Sequence, residues 1–161
     1  MQRKKGFTLI EMIVAIFLIT AGIGAAYLLI QKTSISTSRS LDRLTAAYLS
    51  QEGIEIVRNI RDSNWLAGIG PYNGLDTGNY EADYENSALD NYTGNPLKFD
   101  EVKGFYNYDS GDTTKFTRKI ILTNHLSSDH YIDVLVEVSW MDRGKSFSID
   151  AETYLYDWLP L

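Results

Sequence analysis

The chain has 161 residues, a formal net charge of −6 and no cysteine, which excludes disulfide staples, thiolate chemistry and any cysteine-held metal. An acidic balance with scattered Lys and Arg argues against a general nucleic-acid or anionic-lipid binder. The length leaves room for one membrane helix and a single modest domain.

The first element is an apolar run. Arg3, Lys4 and Lys5 precede Gly6, and from Phe7 to Ile30 the only charged residue is Glu11. At about 1.5 Å per helical residue, that run reaches roughly 36 Å, enough to cross a hydrocarbon core of about 30 Å. The basic cluster predicts an N-terminus held on the cytoplasmic side, with the C-terminal bulk across the membrane. A secretory signal peptide would have a shorter apolar core and a small-residue cleavage site, and here no polar break precedes Gln31. A plain signal anchor leaves Glu11 unexplained. A carboxylate unpaired in lipid costs several kcal/mol, whereas its gain from a helix N-terminus is only about 0.3–1 kcal/mol. Glu11 is therefore expected to be protonated, near the interface or paired.

The stretch Lys5-Gly6-Phe7-Thr8-Leu9-Ile10-Glu11 resembles the cleavage and methylation site of type IV pilins and pseudopilins. Those families carry a basic leader, a glycine at the cut, a phenylalanine as the new N-terminus and a glutamate four residues later. The resemblance implies that a prepilin peptidase cuts between Gly6 and Phe7 and methylates the Phe7 amine. Cutting removes three positive charges and creates one ammonium, with which Glu11 of a neighbouring subunit pairs. It also implies an α+β fold: a long N-terminal helix with an antiparallel sheet of three or more strands on its C-terminal half, the pilin lollipop. On this reading residues 1–6 are leader, 7–30 the transmembrane and filament-core helix, and 31–62 its amphipathic continuation. Residues 63–112 are a variable loop region, and 113–161 the C-terminal sheet.

Within the apolar run, Ala21/Ala25 and Gly22/Ala26 place small residues four apart, a spacing that lets helices approach closely. The family often has a proline in this helix. None occurs here before Pro71, so Gly22 and Gly24 are the candidates for local flexibility.

From Gln31 to Asp62 the pattern is helical, with Leu41, Leu44, Ala47, Tyr48, Ile54, Val57 and Ile60 recurring on one side. Gly53 is the one breaker, costing about 1 kcal/mol relative to alanine. Residues 63–112 are rich in Gly, Asn, Asp and Tyr, and between Pro71 and Asp112 nine acidic residues face two basic ones. Short strands are expected near Asn79–Tyr84 and Gly104–Tyr108. The tyrosines offer apolar area to bury, which argues against disorder. Period-two alternation then predicts strands at Phe116–Thr123, Tyr131–Trp140 and Ser146–Tyr156, with Asp142-Arg143-Gly144 as a tight turn. Val134 and Val136 share a face that should meet Leu44, Tyr48 and Val57 of the helix. Trp158, Leu159 and Leu161 are expected to tuck the end down.

No enzyme constellation emerges. His125 and His130 flank Asp129 in a turn, but two imidazoles five apart in a hairpin rarely converge on a metal. Asp109 with Asp112, and Asp76 with Glu81 and Asp83, offer oxygen ligands without the alternation of an EF-hand loop. No metal or cofactor is expected. The expected function is that of a minor pilin or pseudopilin, a structural subunit of a type IV pilus-like or type II secretion-like filament. Its expected partners are the prepilin peptidase, other pilin or pseudopilin subunits, an inner-membrane assembly platform and membrane lipid, with no nucleic acid. The expected location is the inner membrane, with the N-terminus inside and the C-terminal domain outside, and then an extracellular or periplasmic filament. The alternative is a non-polymerising, membrane-anchored binding module that exposes the acidic, tyrosine-rich loop.

Overall fold

A computed structural model describes residues 6, 8–125 and 130–157 of the chain. The expectations for residues 3–5, Phe7, Asp129 and 158–161 lie outside the described residues. The chain divides into two compact units, 1–42 and 43–161, and helix α1 (Leu9–Leu66) contributes to both. No proline interrupts it.

Where periodicity predicts an end at Asp62, α1 runs on to Leu66. The stop is Gly68, at φ 70°. Its N–H donates to Trp65 O at 3.0 Å, and the Ile69 N–H donates to Asn64 O at 3.1 Å. This is the Schellman pair of bonds, which needs a left-handed residue just past the helix. Asn64, beyond the expected end, serves the loop that follows. Its Nδ2 donates to Pro71 O at 3.1 Å and Asn73 O at 2.9 Å.

In the second unit, β6 (Phe116–Asn124), β7 (Tyr131–Asp142) and β8 (Lys145–Tyr156) form the expected antiparallel meander. The β7–β8 connection is two residues, Arg143 and Gly144, both at positive φ, the turn geometry that matches the twist of a hairpin. Burial alternates strictly along β7: Ile132, Val134, Val136, Val138 and Trp140 are buried, and the residues between them are half-exposed or exposed. Phe116, Ile120 and Leu122 of β6 join that layer.

Against it lie Ala46, Leu49, Ser50, Gly53, Val57 and Ile60 of α1, all buried and sharing one helical face. Val57 is where the sequence places it, but Leu44 and Tyr48 are exposed. Ile54 and Ile60 are buried as expected too, so the difference lies in the earlier turns, where the small residues Ala46, Ser50 and Gly53 are buried in place of Leu44 and Tyr48. The reason for small residues is distance. A Cβ added to Gly53 would lie 2.8 Å from one methyl of Val136 and 3.3 Å from Arg118 Cδ. Glycine lets the helix backbone rest directly on the sheet.

Residues 63–112 contain more regular structure than their composition suggests. β1 (Gly78–Glu81) and β2 (Asp90–Asn91) extend the meander into a five-stranded antiparallel sheet of order β2-β1-β6-β7-β8. β3 (Lys98–Asp100), β4 (Phe105–Asn107) and β5 (Asp112–Thr113) make a second sheet of order β4-β3-β5. The strands near residues 79 and 105 are anticipated. β2, β3 and β5 are too short for a period and exist through their partners.

Gly53→Ala tests the helix–sheet contact. Alanine gains about 1 kcal/mol of helix propensity, but overpacking a buried contact costs about 1–3 kcal/mol. A net loss of up to about 2 kcal/mol is expected in unfolding of the full chain in detergent micelles. Val136→Ala alone should also destabilise, but adding it to Gly53→Ala should cost less than the sum of the two. Strict additivity would show that the two side chains do not meet.

Candidate functional site

The N-terminal segment is built from a cap and an uncovered helix. Thr8 is the N-cap of α1. Its hydroxyl accepts from the Glu11 N–H at 3.3 Å, while the Glu11 carboxylate accepts from the Thr8 N–H at 3.4 Å. This is a reciprocal capping box, T-x-x-E, that satisfies two donors an α-helix leaves open. The spacing is legible in the sequence but escapes a reading that asks only about charge in lipid. Both bonds are long and exposed, so Glu11 is held weakly. Gly6 is exposed, and an added Cβ there would meet nothing within 4 Å. Phe7 lies outside the described residues.

Beyond the cap, residues 9–30 are exposed throughout. Phe17, Leu28 and Leu29 are more than 60% open, although the segment's most apolar window has a mean hydropathy of 2.5. By length and composition this helix can cross a membrane. The Thr20 hydroxyl returns to Ile16 O at 2.9 Å and Phe17 O at 3.0 Å, as a polar group in hydrocarbon requires. Nothing within 4 Å would oppose a Cβ at Gly22 or Gly24. Small residues there are not a requirement of the monomer.

The second candidate face, residues 63–112, is organised on a residue that the sequence reading does not single out. Arg118 of β6 is completely buried. Its guanidinium donates to Leu49 O of α1 at 3.2 Å and to Ala82 O at 2.5 Å, and meets Glu52 Oε2 at 3.2 Å. The Tyr108 hydroxyl donates to Arg118 O at 3.3 Å. One arginine thus joins the helix, the sheet and the segment after β1. Its signal is period two: Arg118 shares the face of Phe116, Ile120 and Leu122.

Three of the nine acidic residues of this face, Glu81, Asp83 and Asp100, bind backbone N–H groups. Buried Glu81 accepts from the Thr93 N–H at 2.9 Å and its hydroxyl at 2.8 Å. Buried Asp83 accepts from the N–H groups of Glu85 at 3.0 Å and Tyr108 at 3.2 Å. Asp100 is held below the usual carboxylate range, first by the Lys103 N–H and then by the Ser110 hydroxyl. Asp76, Asp109 and Asp112 are exposed. His125 stacks on Tyr131 with ring centroids 4.8 Å apart, and His130 sits at φ 53°. Among the described residues no three metal-ligating side chains come together. A polar cleft of about 330 Å³ opens between Glu81, Asn95, Pro96, Lys98, Tyr108 and Thr113.

Residues 1–27 match the family described as the prokaryotic N-terminal methylation motif, the type IV pilin signature. No curated protein and no solved structure matches the chain.

Replacing Arg118 by methionine keeps the volume but strips two carbonyls and Glu52 of their donor. Bonds to a charged group are worth about 1.5–3 kcal/mol each, so a loss of at least about 3 kcal/mol is expected in denaturant unfolding. A smaller loss would mean water replaces the guanidinium.

Two partly or largely buried phenols contribute to the alkaline limit. The Tyr72 hydroxyl lies 3.0 Å from both His130 O and Leu155 O, tying the loop after α1 to both sheet hairpin ends. Burial, with the Asp157 charge, pushes its pKa up to about 12. Burial does the same to Tyr108, also to about 12, against the opposing charge of Arg118. An unfolded tyrosine titrates near 10. Between these values the folded chain binds more protons, so stability is full below pH of about 10 and falls as pH rises toward 12. Melting followed against pH should show this drop. Tyr72→Phe should start lower, by about 0.5–1.5 kcal/mol, and fall less steeply.

Proposed function

We propose that this chain, whose residues 1–27 carry the type IV pilin signature, is a minor pilin or pseudopilin that assembles into a filament through α1. The observation that carries the reading is the conjunction of that motif with an apolar helix half that is wholly uncovered and holds one weakly bonded carboxylate. A prepilin peptidase cuts between Gly6 and Phe7 and methylates the new amine, which stays basic. The leader's three positive charges leave, and one ammonium begins an apolar helix. In the membrane-resident monomer, Glu11 completes the cap of its own helix. In the filament it turns to the Phe7 ammonium of an adjacent subunit, where both charges are removed from water and each is tolerable only beside the other. The long capping bonds yield at small cost. Ala21/Ala25 and Gly22/Ala26 supply the close approach between helices. An inner-membrane assembly platform extracts the subunit from lipid, and the domain after Asp62 lies outside the cytoplasm throughout.

The second reading is a membrane-anchored binding module that never polymerises, favoured by the polar cleft beside Glu81 and Lys98.

Substitutions at Glu11 separate the roles. Glutamine keeps the capping-box bond but carries no charge, and alanine loses both. If charge pairing drives assembly, Glu11→Gln and Glu11→Ala should both be inserted and cut after Gly6, yet be missing from sheared filaments. Intact mass of the membrane form and immunoblots of both fractions read this out. Gly6→Val should leave an uncut chain in the membrane. Entry of Glu11→Gln into filaments at the wild-type level would reduce Glu11 to a cap. A mature wild-type chain that still begins at Met1, in a host with the peptidase, would overturn the proposal.

A further inference from the structure

The main sheet ends in a long edge. β8 closes the order β2-β1-β6-β7-β8, so β7 pairs with one of its sides and no strand among the described residues pairs with the other. The opposite edge, β2, is two residues long, whereas β8 runs from Lys145 to Tyr156. A row of open N–H and C=O groups of that length is a template for another strand.

The side chains along this edge say what kind of strand. On the core face, burial thins from β7 to β8. Trp140, Val138 and Val136 are buried, but their register partners Phe147, Ile149 and Ala151 are only partly covered. One more strand would extend the apolar layer over them. On the outer face, Ser148, Asp150 and Glu152 are exposed in succession. Glu137 of β7 stands directly opposite Asp150, and Asp133 lies diagonal to Glu152. Lys119 of β6 answers Glu137 from its far side, and Lys145 stands at the start of β8, so the middle of the edge remains acidic.

That charge selects against a second copy of the same strand. With faces aligned, the two antiparallel registers that pair the greatest length of β8 with another β8 set Asp150 against Asp150 or against Glu152, and a parallel in-register pair also sets Asp150 against Asp150. Like charges directly opposite destabilise a strand pair.

We infer that β8 is a docking edge for an extended segment of a different protein, one that alternates apolar residues with Lys or Arg. Its backbone continues the sheet, its apolar residues cover Phe147, Ile149 and Ala151, and its cations sit beside Asp150 and Glu152. The inference concerns the sheet unit and does not depend on processing or assembly at the N-terminus.

The test uses the full chain in detergent micelles and two synthetic peptides of β8's length, one alternating lysine with valine and the other glutamate with valine. Amide hydrogen exchange is followed residue by residue. The lysine–valine peptide should slow exchange about tenfold or more at every second amide of β8, the set on the open side, and the glutamate–valine peptide should not. A variant with Asp150→Lys and Glu152→Lys, both at exposed positions, should exchange this preference. Absence of alternating protection on β8, equal protection by both peptides, or a preference unchanged in the variant would each overturn the proposal.

Discussion

The second unit depends on a close approach. α1 can lie on the sheet because Gly53 presents no side chain to Val136, and this brings the helix backbone within reach of Arg118. A guanidinium with no exposed surface is costly to bury unless its donors are used. Here two of them reach main-chain carbonyls on different elements, and Glu52 supplies the counter-charge from a partly solvated position. The arrangement is specific because arginine's fork is planar: only a helix at this distance presents Leu49 O while Ala82 O is also in range.

The same node governs the region of loops and short strands. Through Ala82 and Tyr108, Arg118 ties the segment after β1 and the strand pair β3–β4 to the core. The carboxylates around it are spent on backbone N–H groups and on hydroxyls, which stabilises tight turns in a stretch with little apolar burial of its own. Tyr72 performs a similar service at the other end, where its hydroxyl meets two carbonyls far away in sequence. Acidic, tyrosine-rich composition thus reflects internal hydrogen bonding as much as surface chemistry.

The N-terminal half of α1 follows the opposite economy. Its side chains are uncovered and its backbone and hydroxyls are internally satisfied, the combination suited to a lipid or helix-bundle environment. Glu11 is the exception, and in the monomer its bonds lie at the outer limit of useful length. A carboxylate held so loosely at a helix start is available for another cation.

What the sequence determines by itself is whatever local period or local chemistry dictates. The apolar run after Gly6, the methylation motif, the three long strands and the Arg143-Gly144 turn all belong here, since each rests on residues adjacent in the chain. The T-x-x-E cap and the Gly68 stop are local too, and were there to be read. Tertiary structure decided the rest. The burial of Ile54, Val57 and Ile60 follows from period, but that of Ala46, Ser50 and Gly53 in place of Leu44 and Tyr48 was decided by the partner sheet, onto which Gly53 fits by its smallness. Strands such as β2 and β5 exist only in pairing, because two residues carry no period. Arg118 is a surface residue by type and a core residue by place. Its burial is favourable only once Leu49, Ala82 and Glu52, distant in sequence, have been brought around it.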